Sequence, residues 1–212
     1  MPARDTNVSR PLVIGIAGGI GSGKSAAARC FEREGCLISD SDTEAKAALT
    51  RPDVKETLVE WWGAAVLDEA GAVDRKAVAG IVFADPEQRE RLEALIHPLV
   101  HEARAVAIAR ATEEGLPAVI VDAPLLFEAG IDGECDAVVF VDCPREQRLA
   151  RVSANRGWSE AELDRREAAQ IPVDEKRRRS SHIVSNDGTE EALCEQVARI
   201  LQELLTRPSA NG

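Results

Sequence analysis

A glycine-rich stretch near the start of the chain constrains the fold more than any other feature. Residues 18–25 read Gly-Gly-Ile-Gly-Ser-Gly-Lys-Ser and match the phosphate-binding loop pattern G-x-x-x-x-G-K-[ST]. Glycines allow such a loop to curl so that successive backbone N–H groups point at phosphate oxygens. In this pattern the lysine, here Lys24, reaches the β- and γ-phosphates, and the following hydroxyl, here Ser25, binds Mg²⁺. The stretch therefore predicts a site for a nucleoside triphosphate.

The segments on either side of the loop have the order that this motif requires. Residues 12–17 are a short apolar run, which is typical of a buried parallel strand. Residues 25–34 favour a helix, and Gly35 provides its C-terminal stop. A helix N-terminus therefore faces the anion. The residues predicted to bind the nucleotide through this loop are Gly19, Gly21, Ser22, Gly23, Lys24, Ser25 and Ala26.

The composition of the 212 residues argues against several classes of protein. No apolar run is long enough to span a membrane, and residues 1–10 lack the hydrophobic stretch of a secretion signal. We therefore expect a cytoplasmic protein of one domain, with room for an insert. A net charge of −11 argues against nucleic acid as a partner. Five cysteines without a C-x-x-C pair predict reduced thiols rather than a disulfide framework or a zinc site. Nothing in the sequence indicates an oligomeric state.

Basic residues are concentrated in one segment of this acidic chain. Residues 145–179 hold ten Arg or Lys against seven Asp or Glu. Guanidinium groups suit phosphoryl oxygens, so the segment predicts a lid that closes over phosphates. For any one arginine, a place on a solvated helix face with ion pairs remains the alternative. Arg148 is the leading candidate for a catalytic and nucleotide-binding role, because it follows the fourth predicted strand most closely. Arg151 and Arg156 come next.

The rest of the chain alternates between strands and helices. Continuous apolar runs predict four further strands, at 36–39, 118–122, 136–142 and 182–185. An amphipathic helix over 189–205 closes the chain, and residues 208–212 are expected to fray. This pattern predicts an α/β fold whose parallel sheet is covered on both faces.

Residues 43–117 interrupt this alternation. They contain several helical stretches and no convincing strand. Pro52 is placed to begin one helix, and Asp85 with Pro86 to begin another, which Pro98 should end or kink. A helical insert of this length between two strands of a nucleotide-binding fold usually holds a second substrate.

Three features favour a kinase over other phosphate-loop proteins. The chain lacks the N-K-x-D motif of GTPases, and none of its predicted strands is followed by their D-x-x-G motif. Asp122, at the end of the third strand, is followed by alanine and not by the glutamate with which motor ATPases activate water. Asp40-Ser41-Asp42 follows the second strand, at the sheet edge where open α/β folds build their sites. Either aspartate is placed to receive the proton of an acceptor hydroxyl, and a helix N-cap at Asp40 or Ser41 is the alternative.

Five separated blocks of the sequence carry a family resemblance. They are residues 15–25, the Asp-Ser-Asp of 40–42, the Leu-Ile-His-Pro-Leu of 95–99, the Asp-Ala-Pro-Leu-Leu-Phe-Glu of 122–128, and the pair Glu175-Lys176 with Asn186-Asp187-Gly188. In this order they resemble the dephospho-coenzyme A kinase family over residues 13–205. Lys46 departs from the family's arginine and lacks its planar fork, and Ser180-Ser181 departs from the family's Ala-Asp.

The resemblance implies a fold and a reaction. It implies a three-layer P-loop kinase fold with a helical substrate-binding insert and a helical lid. The implied parts are a nucleotide core in 11–42, 118–143 and 180–206, a coenzyme A domain in 43–117, and a lid in 144–179. It also implies transfer of a phosphoryl group from ATP, with Mg²⁺, to the 3′-hydroxyl of dephospho-coenzyme A. Another small-molecule or nucleoside kinase, and a nucleotide-dependent switch that hydrolyses slowly, remain the alternatives.

The resemblance also assigns roles to single residues. The family's catalytic aspartate falls on Asp42, which would act with Lys24 and Arg148. Asn186 would lie beside adenine. Asp122 is a candidate for the outer shell of Mg²⁺, with a hydrogen-bonded strand end as the alternative.

His97 falls where the family has a histidine near the second substrate. A structural role is the alternative, and a metal site with His101 is a further one that lacks a third ligand.

Overall fold

The computed structural model describes residues 10–206, so the N-terminal segment and the tail expected to fray lie outside the described residues. Within that range the chain forms five strands and nine α-helices. The strands are β1 (Leu12–Gly18), β2 (Leu37–Asp40), β3 (Ala118–Asp122), β4 (Ala137–Asp142) and β5 (His182–Ser185). The helices are α1 (Lys24–Arg33), α2 (Ser41–Ala48), α3 (Pro52–Trp62), α4 (Arg75–Ala84), α5 (Pro86–Glu113), α6 (Arg145–Arg156), α7 (Glu160–Glu167), α8 (Val173–Arg179) and α9 (Glu190–Thr206).

The five strands form one sheet in the order β2-β3-β1-β4-β5. β1 pairs in parallel with β3 and with β4, and β4 pairs in parallel with β5. Parallel neighbours end at the same edge of a sheet, so the loops that follow β1, β3, β4 and β5 share one edge. The predicted α/β class with a parallel sheet is confirmed.

Helices cover both faces of the sheet, as the continuously apolar strands predict. Successive side chains of a strand point to opposite faces. Ile14 and Ile16 of β1 are buried in a core that includes Phe31 of α1 and Leu193 of α9. Val13 joins a second core on the opposite face, against which parts of α5 and α8 pack. The sheet therefore lies between two helical layers, in the three-layer arrangement.

The structure refines several element boundaries. β3 and β5 have the predicted bounds, whereas β2 lies one residue later than predicted. Pro98 lies inside α5 and does not end it. Ile96 and Val100, on either side of this proline, are both buried in an apolar core, and their packing offsets the hydrogen bond that proline cannot donate. Every helix in the described part of the chain is too short or too polar to cross a lipid bilayer.

The described residues form two compact units, one of which comprises residues 40–106 and the other the remainder. The 40–106 unit consists of α2, α3, α4 and most of α5. Leu58 and Val66 are fully buried in its own core. Trp61 and Trp62, for which the sequence favours core positions over a ligand platform, pack half-buried against that core.

Two of the five cysteines form a disulfide, which corrects the prediction that all thiols are reduced. Cys30 lies on α1 and Cys194 on α9, and these helices pack side by side on one face of the sheet. The two residues are separated by 164 positions in sequence. Cysteine count and spacing cannot reveal such a pair, because it depends on which helices become neighbours in the fold. Cys36, Cys135 and Cys143 take no part in a disulfide.

We expect the disulfide to raise the melting temperature, because it restricts the unfolded chain across a long loop. For a loop of this length the chain-entropy relation gives about 5 kcal/mol, which corresponds to a shift on the order of 10 °C in a domain of this size. A reductant should lower the melting temperature of the wild type by that amount and leave that of Cys194→Ser unchanged. Cys135→Ser, which keeps the disulfide, should respond to the reductant as the wild type does. A wild type that melts at one temperature under both conditions would contradict this expectation.

Candidate active site

The phosphate-binding loop joins the carboxyl end of β1 to the first turn of α1. Gly21 and Gly23 have φ angles of 79° and 92°, in the left-handed region where side chains are strained. A Cβ on Gly21 would lie 2.7 Å from the backbone oxygen of Arg148, and one on Gly23 would lie 2.1 Å from Asn186 Nδ2. Backbone conformation and close packing therefore both require glycine at these two positions.

Two side chains from other elements hold the loop at the carbonyl oxygen of Ser22. Asn186, directly after β5, donates from Nδ2 to this oxygen at 2.7 Å, and Arg151 of α6 donates to it at 3.1 Å. Arg151 also donates to the carbonyl oxygen of Asn186 at 2.9 Å. Asn186 thus contacts the loop itself, and its place beside adenine stays a prediction. Arg151, the second of the lid candidates, reaches the loop as well.

Arg148 is buried against the loop and does not project from the tip of a lid. Its Nη1 donates to the carbonyl oxygen of Ile20 at 3.3 Å and also pairs with Glu167 of α7. The exposed fractions of the Arg148 and Glu167 side chains are 8% and 18%. Glu167, which carries no motif in the sequence, therefore offsets the charge that Arg148 brings to the loop.

Three other arginines of the lid segment lie on solvated helix faces, which is the alternative to phosphate binding. Arg165 and Arg166 both donate to Glu162, and these hydrogen bonds lower the pKa of Glu162 to about 2. Arg156 lies over the ring of Trp158, with its guanidinium carbon 4.8 Å from the ring centroid. All three arginines are exposed. Arg165 and Arg166 are therefore paired with a carboxylate, and Arg156 is stacked on an aromatic ring, all on solvated helix faces.

The first turn of α1 presents the remaining predicted residues of the loop. Lys24 lines a narrow cleft beside the carboxyl ends of β1 and β3. Ser25 is exposed, and the N–H of Ala26 donates at 2.9 Å to the carbonyl oxygen three residues before it. Asp122 is the last residue of β3 and lies in register with Ile16 of β1. The structure thus brings Lys24, Ser25 and Asp122 to two neighbouring strand ends.

These strand ends offer the oxygen ligands that Mg²⁺ prefers, a hydroxyl from Ser25 and a carboxylate from Asp122. Among the described residues, no group of three or more His, Cys, Asp or Glu could hold a metal ion. A divalent cation here would therefore take further ligands from phosphate oxygens and water, as Mg²⁺ does at nucleotide sites. The donor set fits Mg²⁺ bound together with a nucleotide.

The two aspartates of residues 40–42 have different environments in the structure. Asp40 is the N-cap of α2, because its Oδ1 accepts hydrogen bonds from the backbone N–H groups of Asp42 at 2.9 Å and Thr43 at 3.0 Å. Its Oδ2 accepts a third from the Thr43 hydroxyl at 3.0 Å. Asp42 is exposed, and no group in the described part of the chain donates to its carboxylate. The N-cap alternative therefore applies to Asp40, and Asp42 keeps a carboxylate available to a substrate.

The remaining candidate residues contribute less. His97 and His101 are both exposed on α5, where neither belongs to a metal-binding cluster of described residues. Burial raises the pKa of the Cys36 thiol to about 12 and also raises that of Cys143. Neither thiol is therefore a nucleophile at neutral pH.

Two charged residues to which the sequence assigned no role meet beside the same cleft as Lys24. Lys176 of α8 is 2% exposed and lines the cleft. Its Nζ lies 3.0 Å from Oε1 of Glu128, in the loop that follows β3. Both belong to blocks that carry the family resemblance, and this is the signal that could have pointed to them.

Comparison with known proteins gives one consistent result. A family model described as dephospho-CoA kinase matches residues 12–192. The dephospho-CoA kinase of Anaeromyxobacter dehalogenans is 43% identical over 194 residues, which cover 91% of this chain and 92% of the relative. That of Geobacter metallireducens is 40% identical over 197 residues, which cover 92% of this chain and 98% of the relative.

Solved structures agree with these relatives. The crystal structure of TT1252 from Thermus thermophilus superposes with a TM-score of 0.80 at 36% sequence identity. The match covers 94% of this chain and 100% of that one. The similarity therefore includes the phosphate loop, the helical insert and the arginine-rich segment.

Proposed function

Because the chain belongs to the dephospho-CoA kinase family, we propose that it transfers the γ-phosphoryl group of ATP to the ribose 3′-hydroxyl of dephospho-coenzyme A. The products are ADP and coenzyme A, and the reaction is the last step of coenzyme A biosynthesis. The family match over residues 12–192 carries this proposal. A switch that hydrolyses ATP slowly fits less well, because Ala123 follows Asp122 where a hydrolase places its activating glutamate.

The loop binds the phosphates through backbone N–H groups and Lys24. In a trans peptide unit the C=O and the next N–H point in opposite directions. Asn186 and Arg151, by holding the carbonyl oxygen of Ser22, therefore turn the N–H of Gly23 to the opposite side, toward a bound phosphate. These contacts support a loop that is oriented before the nucleotide arrives, which saves the cost of ordering it on binding.

Asp42 acts as the general base. It accepts the proton of the acceptor hydroxyl as that oxygen attacks the γ-phosphorus, and ADP leaves from the opposite side. The exposed carboxylate of Asp42 and the capping role of Asp40 support this choice between the two.

Arg148 acts next to the transferring group. Its hydrogen bond to the carbonyl oxygen of Ile20 turns the N–H of Gly21 toward the phosphates. Its guanidinium group also supplies positive charge beside them. Asn186 is proposed to lie beside adenine in addition to its contact with the loop.

Mg²⁺ would be held by the Ser25 hydroxyl, with Asp122 in its outer shell. When bound, the ion neutralises negative charge on the phosphates. The side chains of this chain still have to position both substrates and move the proton.

We assign residues 43–117 to dephospho-coenzyme A binding and 144–179 to a lid. Within the lid, α6 is attached to the loop by Arg148 and Arg151. α7 is joined to α6 by the pair of Glu167 with Arg148, so a closing movement of α7 alone would have to break that pair.

We place the enzyme in the cytoplasm, where ATP is available. Disulfides are rare in a reducing cytoplasm, so the bond between Cys30 and Cys194 would be an exception there.

Replacing Arg148 with alanine should lower kcat by about 10²-fold and weaken ATP affinity less, because charge on the transferring group builds up mainly in the transition state. Steady-state kinetics and titration calorimetry measure the two effects. Adding Glu167→Gln removes the carboxylate that would otherwise keep only Arg145 as its partner. Arg165→Ala, on an exposed face, is the matched control and should change neither quantity. An Arg148→Ala variant whose ATP affinity falls as much as its kcat would count against a role in the transition state.

Acceptor selectivity tests the proposed reaction. Release of ADP should depend on dephospho-coenzyme A, and coenzyme A should not replace it because its 3′-position already carries phosphate. Shikimate and common nucleosides are tested as alternative acceptors in the same assay. Faster ADP release with one of them than with dephospho-coenzyme A would identify a different small-molecule kinase.

A further inference from the structure

The pair formed by Lys176 and Glu128 is unusually well shielded for two opposite charges. Lys176 is 2% exposed, and the Glu128 side chain is 18% exposed. Burying an ammonium group carries a large desolvation cost, and a buried ion pair often adds little net stability. Such a pair beside a substrate cleft is therefore a candidate for a functional role.

The hydrogen bonds of Lys176 do not use all of its donors. An ammonium group has three N–H donors. Among the described residues, two acceptors lie within reach of Nζ, Oε1 of Glu128 at 3.0 Å and Oε1 of Gln170 at 2.8 Å. One donor of Lys176 therefore remains for a group that enters the cleft.

Glu128 is held firmly in turn. Its Oε1 accepts the backbone N–H of Ile171 at 3.0 Å. Burial alone would raise the pKa of Glu128, but the hydrogen bonds from Lys176 and Ile171 hold that pKa below its ordinary value. Glu128 is thus ionised at neutral pH and fixes the position of the ammonium group.

The cleft itself has the character of an anion site. Lys24 and Lys176 line it together, and its lining includes no carboxylate. The rest of the lining is backbone and apolar side chains, among them Gly18, Leu126 and Phe127. Two cations in otherwise apolar surroundings suit a group of high negative charge.

The place of the cleft in the sheet indicates which phosphate it faces. Lys24 belongs to the loop after β1, and the far wall of the cleft comes from residues 123–127, after β3. Asn186 follows β5, which lies on the other side of β1 from β3, and we propose that the adenine base lies beside it. A nucleotide with its base near β5 and its phosphates at the loop would point its γ-phosphoryl group toward the cleft.

We propose that Lys176 is a second phosphoryl-binding lysine, which donates a hydrogen bond to the γ-phosphoryl group during transfer, and that Glu128 is the residue that positions it. This inference rests on the proposed function. Negative charge on the transferred group is shared between Lys24 and Lys176, while Glu128 keeps the second ammonium in place when the cleft is empty.

A double variant separates this role from a structural one. Lys176→Met combined with Glu128→Gln removes both charges, and the glutamine keeps an acceptor for the N–H of Ile171. Because neither partner is stranded, the melting temperature should stay within a few degrees of the wild type. Arg199→Met removes a positive charge from an exposed position on α9, outside the lid segment, and is the matched control.

Turnover and nucleotide affinity are the two readouts. We expect kcat of the double variant to fall by about 10²-fold, the scale of one lost electrostatic donor. Its ATP affinity should fall by about tenfold, and its ADP affinity by less than about threefold, because only ATP carries the γ-phosphoryl group. Arg199→Met should match the wild type in all three quantities.

Two results would overturn the inference. One is a stable double variant with near-normal kcat, and the other is an equal loss of ATP and ADP affinity, which would indicate a general disturbance of the site. Failure of the proposed function looks different, since the wild type itself would then release no ADP with dephospho-coenzyme A. In that case the ATP and ADP affinities still decide the role of Lys176.

Discussion

Replacing Lys24 with alanine should reduce kcat by about 10³-fold and leave the fold intact. The side chain lines the cleft beside the loop and brings positive charge to the β- and γ-phosphates. Its loss removes charge stabilisation that grows as the γ-phosphoryl group moves between oxygens. Alanine is a good helix former, so the first turn of α1 should persist. Steady-state kinetics at saturating substrate, together with a thermal melt, measure both expectations.

Lys76→Ala is the matched control for this variant. Lys76 is exposed on α4, so its replacement removes the same charge far along the chain from the loop and should leave kcat unchanged. A Lys24→Ala variant with near-normal turnover would contradict the phosphate-loop interpretation.

Replacing Asp42 with asparagine should lower kcat by about 10²-fold or more, the scale of a general-base contribution, with ATP affinity nearly unchanged. The substitution keeps the size of the side chain and removes its ability to accept a proton as a carboxylate. Kinetics with dephospho-coenzyme A as the varied substrate, and calorimetry with ATP alone, distinguish the two effects.

Asp40→Asn is the natural comparison. Asparagine caps helices about as well as aspartate, so α2 should keep its N-cap and the variant its stability. Its kcat should fall much less than that of Asp42→Asn. The opposite order of effects would mean that the two aspartates have exchanged roles.

Local sequence patterns predicted the sheet and the phosphate loop well. The strands are continuous apolar runs because both faces of the sheet are covered, and this pattern can be read without knowing the fold. The loop glycines were predictable for a similar reason, since the conformation of Gly21 and Gly23 depends on backbone geometry within a few residues. The continuation of helix α5 through Pro98 was harder to predict, because it depends on apolar packing against residues that are distant in sequence.

Features that join distant parts of the chain could not be predicted in the same way. The disulfide between Cys30 and Cys194 depends on the packing of α1 against α9. The burial of Arg148, on α6, depends on its ion pair with Glu167, on α7. An arginine-rich segment indicates phosphate chemistry in general, and only the fold shows which arginines reach the loop and which pair with neighbouring carboxylates.

The partition of labelled phosphate tests the central claim most directly. The wild type is incubated with ATP labelled at the γ-phosphate and Mg²⁺, with and without dephospho-coenzyme A. Label should appear in coenzyme A in amounts equal to the ADP formed, and almost none should appear as inorganic phosphate in either reaction. Label released mainly as inorganic phosphate, at a rate that does not depend on dephospho-coenzyme A, would contradict phosphoryl transfer and indicate a nucleotide hydrolase.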